Sequence, residues 1–195
     1  MTEPAPSIEA DIRAAYDQQA WESAVTIAIR HYGPELLGYL NVMLRNAAEA
    51  DDVFGTVCEK LWSAMPRFAW HSTFRTWAYT VTRNACVSFV RGARTRTGVP
   101  LSHVSSDALA AEVRSRTATF LRTETKDKLA EIRDALDPDD HTLLILRIDR
   151  HLPWRDIAQV FEGDAASPAS IAQRAAALRK RFERLKLDLR ERLGR

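Results

Sequence analysis

Between Pro66 and Arg96 the chain reads PRFAWHSTFRTWAYTVTRNACVSFVRGARTR. Here Phe68, Trp70, Phe74, Trp77 and Tyr79 are interleaved with Arg67, Arg75 and Arg83 and followed by a cluster of arginines. Aromatic rings stack on unpaired bases while guanidinium groups hold the backbone between them, so this composition suits single-stranded or unstacked nucleic acid. Helical spacing withdraws most of the rings from that task, because Phe74, Trp77, Val81, Ala85 and Phe89 fall on one stripe and are expected in a core. Trp70 and His71, in the loop before the helix, are the better candidates for contact with a base.

A second constellation lies near the C-terminus. LPWRDIAQVF, from Leu152 to Phe161, predicts a short helix with Ile157, Ala158 and Phe161 inward. After a turn containing Gly163, a long helix follows in which Ile171, Ala175, Leu178, Phe182, Leu185 and Leu189 step by four and three. A short helix, a glycine-containing turn and a longer basic helix form the helix-turn-helix pattern. Ala169, Ala172 and Ala176 would let the helix backbone approach a groove, with Ser170, Gln173 and Arg174 as donors and Arg179, Lys180, Arg181 and Arg184 facing phosphates. A plain helical hairpin with a solvated basic face fits the same residues, and at this point both readings stand.

Signatures of catalysis are missing. No glycine is followed by lysine, so there is no phosphate-binding P-loop, and the glycine spacings exclude a dinucleotide fingerprint. His31, His71, His103, His141 and His151 are scattered without a metal-ligand pair at helical spacing. The acid pairs Asp51/Asp52 and Asp139/Asp140 read as helix N-cap positions. Cys58 and Cys86 each sit inside an apolar helical pattern and are expected as buried free thiols. Neither an enzyme, a metal site nor a cofactor is expected.

The elements that position these residues are read as all-α. The chain of 195 residues is 46% hydrophobic, shows no alternating strand pattern, and repeats apolar spacings of three and four throughout. Helices are expected at 8–30, 34–46, 49–65 and 73–92, then at 124–136, 138–149, 153–161 and 168–192. Pro34, Pro138, Pro153 and Pro168 each stand near a proposed helix start. The Ser- and Thr-rich stretch from Arg94 to Thr123 reads as a linker, giving two helical domains over 8–93 and 124–195. The longest apolar run, Ala24 to Ile29, is too short to span a membrane and the acidic start lacks a signal peptide's basic residues, so a cytoplasmic protein is expected.

A formal net charge of +2 conceals segregation. Residues 1–62 carry ten acids against four bases, residues 75–96 five arginines and no acid, and residues 170–195 nine bases against three acids. Such separation presents a basic surface to a polyanion and an acidic one to a basic protein.

These stretches resemble a known family. YGPELLGYLNVMLRNAAEADDVFGTVCEKLWSAMPRF, STFRTWAYTVTRN and LDPDDHTLLILRIDRHLPWRDIAQVF are similar to segments of bacterial sigma factors of the extracytoplasmic-function type (group 4), the minimal two-domain class of the sigma-70 family. The resemblance implies that the helix at 49–65, through Asp51, Asp52, Thr56 and Glu59, docks on core RNA polymerase. It implies that the loop from Ala69 to Thr73, including Trp70, His71 and Ser72, melts and reads the promoter −10 element together with Arg75, Tyr79, Arg83, Asn84 and Arg91. A flipped base costs a few kcal/mol, which stacking must offset. The second domain would read the −35 element through Ser170, Gln173, Arg174, Arg179 and Lys180, and the linker would thread the polymerase channels.

Three departures from the family pattern stand out: about three extra residues in the turn GDAASPA with Ala172 in place of a usual lysine, Trp70 where glycine is common, and Gly55-Thr56 where glutamine and glutamate are usual. Gly55 and Thr56 are expected on the solvent side of their helix, where glycine costs roughly 0.5–1 kcal/mol relative to alanine. A phosphate on Thr56, placed by a Ser/Thr kinase, would supply about −1.5 to −2 charges and restore the missing acid. The alternative is that Asp51, Asp52 and Glu59 suffice, and an anti-sigma factor is a further possible partner. A stand-alone helix-turn-helix regulator, or a protein binding RNA or a membrane surface through its basic tail, remains the competing reading of the whole chain.

Overall fold

The computed structural model describes residues 7–93, 107–122 and 136–192, and all regular structure among them is helical. The chain divides into two compact units, Met1–Leu121 and Arg122–Arg195.

The first unit begins with α1 (Ile8–Asp17), whose N-terminus is capped by Ser7 Oγ accepting from the Ala10 N–H. The single helix expected over 8–30 is broken where Gln19 takes φ 59°, and α2 (Trp21–Leu44) starts afresh. The break expected at Pro34 does not occur. Proline removes the N–H that would bond the Arg30 carbonyl one turn back; Arg116 Nη1 donates to that carbonyl instead, at 2.6 Å. Asn46, not the Asp51/Asp52 pair, caps α3 (Ala47–Ala64), its side-chain oxygen accepting from the N–H groups of Ala48 and Glu49. A 3₁₀ turn (Met65–Arg67) and an extended loop lead to α4 (Phe74–Ala93). Leu36, Leu40, Val57, Leu61, Met65 and Phe74 form part of the buried centre between α2, α3 and α4.

The segment read as a linker contains a helix, α5 (Asp107–Arg122), which packs on the first unit. Val113 and Thr117 are its buried residues among those whose side chains are described. The helix expected at 124–136 and the remainder of the expected linker lie largely outside the described residues.

In the second unit, α6 (Pro138–Leu144) continues into a π-helical turn (Ile145–Asp149). Asp137, ahead of the expected Asp139/Asp140 pair, is the capping residue, and the pair fills the first turn. Helix α7 (Trp154–Glu162) ends at Gly163, whose φ of 89° is the left-handed geometry glycine adopts without cost. Helix α8 (Pro168–Arg192) buries Ile171, Ala175, Leu178, Phe182 and Leu185 at the spacing read from the sequence. Arg181, expected to face phosphate, instead crosses to α6 and pairs with Asp137 at 3.0 Å and with Asp140. Its hydrogen bond to Asp140 holds the guanidinium firmly in its charged form.

Replacing Arg181 with Ala removes a charge-assisted α6–α8 tie that is only partly screened, and should destabilise the second unit by about 1–2 kcal/mol in denaturant unfolding. Arg179→Ala, on the exposed face of the same helix, should stay within about 0.5 kcal/mol of wild type.

Candidate nucleic-acid interface

The loop between the 3₁₀ turn and α4 is held from α1. Tyr16 donates its hydroxyl to the Phe68 carbonyl at 3.0 Å, and the Glu9 carboxylate accepts from the N–H groups of Phe74 (2.8 Å) and Arg75 (3.0 Å). Glu9 thereby caps α4 from 65 residues away in sequence, where a carboxylate satisfies free donors and the helix dipole together. It also accepts the Tyr32 hydroxyl at 2.7 Å; burial and this carboxylate push the Tyr32 phenol well above its ordinary range. Thr73 completes the cap, its Oγ1 accepting from the Thr76 N–H at 3.1 Å.

Trp70 does not project as a free stacking ring. It is half-buried with φ 56°, its ring 4.7 Å from Phe68 and 5.3 Å from Tyr16, and the Arg13 guanidinium lies over it at 4.6 Å. A bulky residue in the left-handed region costs about 1–2 kcal/mol, which these aromatic and cation–π contacts offset. His71 is exposed, and Ser72 donates its hydroxyl to the Thr73 carbonyl.

On α4 the expected DNA-facing residues separate. Tyr79 is 1% exposed and meets Tyr39 edge-on in the core, which removes it from any DNA-facing surface. Its DNA-facing role is implied by the family resemblance alone, and packing against Tyr39 of α2 overrides it. Arg75 is engaged by Glu35 through two bonds of 2.7 Å, and that pairing raises its already high pKa. Asn84, Ser88 and Arg91 form an exposed stripe, with Arg83 half-buried beside it.

On α3, Glu59 is exposed while Asp51, Asp52 and Thr56 are half-buried. Thr56 Oγ1 donates to the Asp52 carbonyl at 3.4 Å. Gly55 is buried, contrary to the expectation that it faces solvent, and one turn before it on the same face Asp51 pairs with Arg114 of α5 at 3.0 Å. Val53, Phe54, Val57 and Leu61 form the buried stripe of α3, and Trp62 beyond them is 46% exposed. Burial pushes the Cys58 thiol up to about 12 and the Cys86 thiol up to about 11.

In the second unit, Glu162 at the end of α7 takes the Ser170 hydroxyl at 3.0 Å and pairs with Arg174 at 3.3 Å. Two of the five expected −35 residues are thus tied within the hairpin. Gln173, Arg179 and Lys180 are exposed, as are Ala169, Ala172 and Ala176.

Residues 28–96 match the family model for Sigma-70 region 2. The chain thus carries a Sigma-70 region 2. No curated protein matches it. The matched region runs from within α2 to just past α4, so it includes the loop, the exposed stripe of α4 and the acidic positions of α3. Sigma-70 region 2 is the part of a transcription initiation factor that engages core polymerase and promoter DNA. Glu9, Arg13 and Tyr16 brace that region from outside the match, and sequence reasoning missed them: each is an ordinary residue of an amphipathic helix, and only long-range contact reveals its task. Among the described residues no helix is long and apolar enough to cross a membrane, and no group of three His, Cys, Asp or Glu side chains is placed to hold a metal.

Glu9→Ala should unfold the first unit more easily by about 1–2 kcal/mol in thermal or denaturant titration, the cost of a lost cap. Glu9→Gln retains one acceptor oxygen and should lose less. With both thiols shifted upward, iodoacetamide should alkylate the native protein at pH 8.5 at least about tenfold more slowly than the urea-denatured chain, because the thiolate is the reacting species.

Proposed function

We propose that this chain is an extracytoplasmic-function sigma factor that directs core RNA polymerase to specific promoters and helps to open the −10 element. The match of residues 28–96 to Sigma-70 region 2 carries this reading. The geometry supports it: acidic α3 and the basic, exposed end of α4 provide separate surfaces for a protein and for nucleic acid. In this reading His71, Ser72, Asn84 and Arg91, with Arg83 beside them, meet the melted strand. Trp70 serves the −10 site as the floor of the loop, and a base stacks on it only when Arg13 moves aside. Arg75 keeps the helix start in place through Glu35. In the second unit Gln173, Arg179 and Lys180 meet the −35 duplex, with Ser170 and Arg174 orienting the helix through Glu162.

Polymerase docks on α3 through Asp52, Thr56 and Glu59, with Asp51 on the same helix. The acidic gap is Thr56 alone, since Gly55 is buried. Phosphorylation of Thr56 by a Ser/Thr kinase adds about −1.5 to −2 charges to this face and strengthens docking.

In reconstituted transcription with core polymerase, the full chain should produce promoter-dependent transcripts. Asn84→Ala and Arg91→Ala should each reduce open-complex formation about three- to tenfold, read as permanganate reactivity of unpaired thymines. Tight specific binding to duplex DNA without polymerase, and no promoter-dependent transcript with it, would instead establish a stand-alone helix-turn-helix regulator, a reading that the exposed alanines and basic residues of α8 also fit. For the modification, Thr56→Glu and kinase-treated wild type should exceed Thr56→Ala and untreated protein in transcript yield. Equal activity of all four would remove the switch.

A further inference from the structure

We propose that α5 is an internal occupant of the polymerase-docking face, and that polymerase must displace it to bind. The proposal rests on the reading of α3 as the docking helix, and it concerns what covers that helix in the free protein.

The seat for α5 is built into α2. At Gly33 an added Cβ would stand 2.9 Å and 3.3 Å from the two methyl groups of Val113 and 3.3 Å from Phe54, so glycine is what lets α5 lie this close. Next to it, Pro34 leaves the Arg30 carbonyl without its helical donor, and Arg116 fills that position. Thr117 Oγ1 lies 3.4 Å from the Pro34 carbonyl while also donating to the Val113 carbonyl at 2.8 Å. A glycine and a proline in the middle of a 24-residue helix both weaken it, and both defects are answered by one stretch of α5, Val113 to Thr117.

Charge extends the same seam onto α3. Arg114 pairs with Asp51, and Arg30 of α2 pairs with Glu112 at 3.2 Å. Two helices pack no closer than about 8–10 Å axis to axis, so a basic helix of polymerase cannot reach Asp51 while α5 lies there. The arginines that α5 presents are the residue type expected of the partner it excludes, which makes it an internal mimic. Among the side chains described, the seam holds Val113 and Thr117 at its centre and exposed ion pairs at its edge, and such ion pairs are weak enough for a competing basic helix to replace. When a competent state is populated in about one molecule in ten, apparent affinity falls about tenfold.

The test compares the full-length wild type with Val113→Glu, which places a charge in the seam, and Gly33→Ala, which puts a methyl group where Val113 packs while favouring the helix itself. Binding to core polymerase is read by fluorescence anisotropy, with circular dichroism to show that the helices are retained. Hydrogen exchange of the Ala111–Thr117 amides in wild type is followed with and without polymerase. Both variants should bind about tenfold more tightly, and the α5 amides should lose protection in the wild-type complex. Unchanged affinity in the variants, with α5 still protected in the complex, overturns the displacement while leaving polymerase docking intact. Absence of polymerase binding by all three proteins overturns the docking reading itself, and the displacement with it.

Discussion

A single carboxylate fixes the start of α4 and the loop before it. Glu9 accepts from two N–H groups at the start of α4 and from the Tyr32 hydroxyl, so one side chain joins α1, α2 and α4. The donors at a helix start have no partner within the helix, and here they begin immediately after the loop that carries His71 and Ser72. With Glu9 in place α1 is anchored across the bundle, and Tyr16 and Arg13 then fall on the Phe68 carbonyl and the Trp70 ring. The loop is therefore shaped largely by a helix that precedes the matched sigma-70 region.

The same economy sorts the arginines. A guanidinium drawn partly out of water needs a carboxylate close by, and Arg75, Arg174 and Arg181 have Glu35, Glu162 and the acidic first turn of α6. These three shape the surfaces without being the groups most available to a polyanion. Arg91, Arg179 and Lys180 stay exposed and carry charge outward. A basic patch read from composition thus contains two populations, and packing alone separates them.

Helix α2 shows how a local weakness becomes a docking site. Gly33 and Pro34 together would normally end a helix, yet α2 continues to Leu44. The flat spot at Gly33 and the uncovered Arg30 carbonyl are both filled by α5, a helix drawn from a stretch whose Ser, Thr and small residues read as a connector. Local propensity failed there because the compensating partner is about 80 residues away, a distance over which composition carries no information.

The sequence by itself determined the all-α class, the inward stripe of α8 as far as Leu185, the helix-ending Gly163, and the Sigma-70 region 2 over residues 28–96. Each of these follows from side-chain periodicity or from a backbone preference that acts within one or two turns. Only the tertiary structure decided that Tyr79 is core, that Trp70 lies beneath Arg13, that Gly55 is buried and that Glu9 caps α4. Those outcomes depend on which surface of another helix arrives at each position, and a burial or an ion pair between distant residues has no energy until the chain has brought them together.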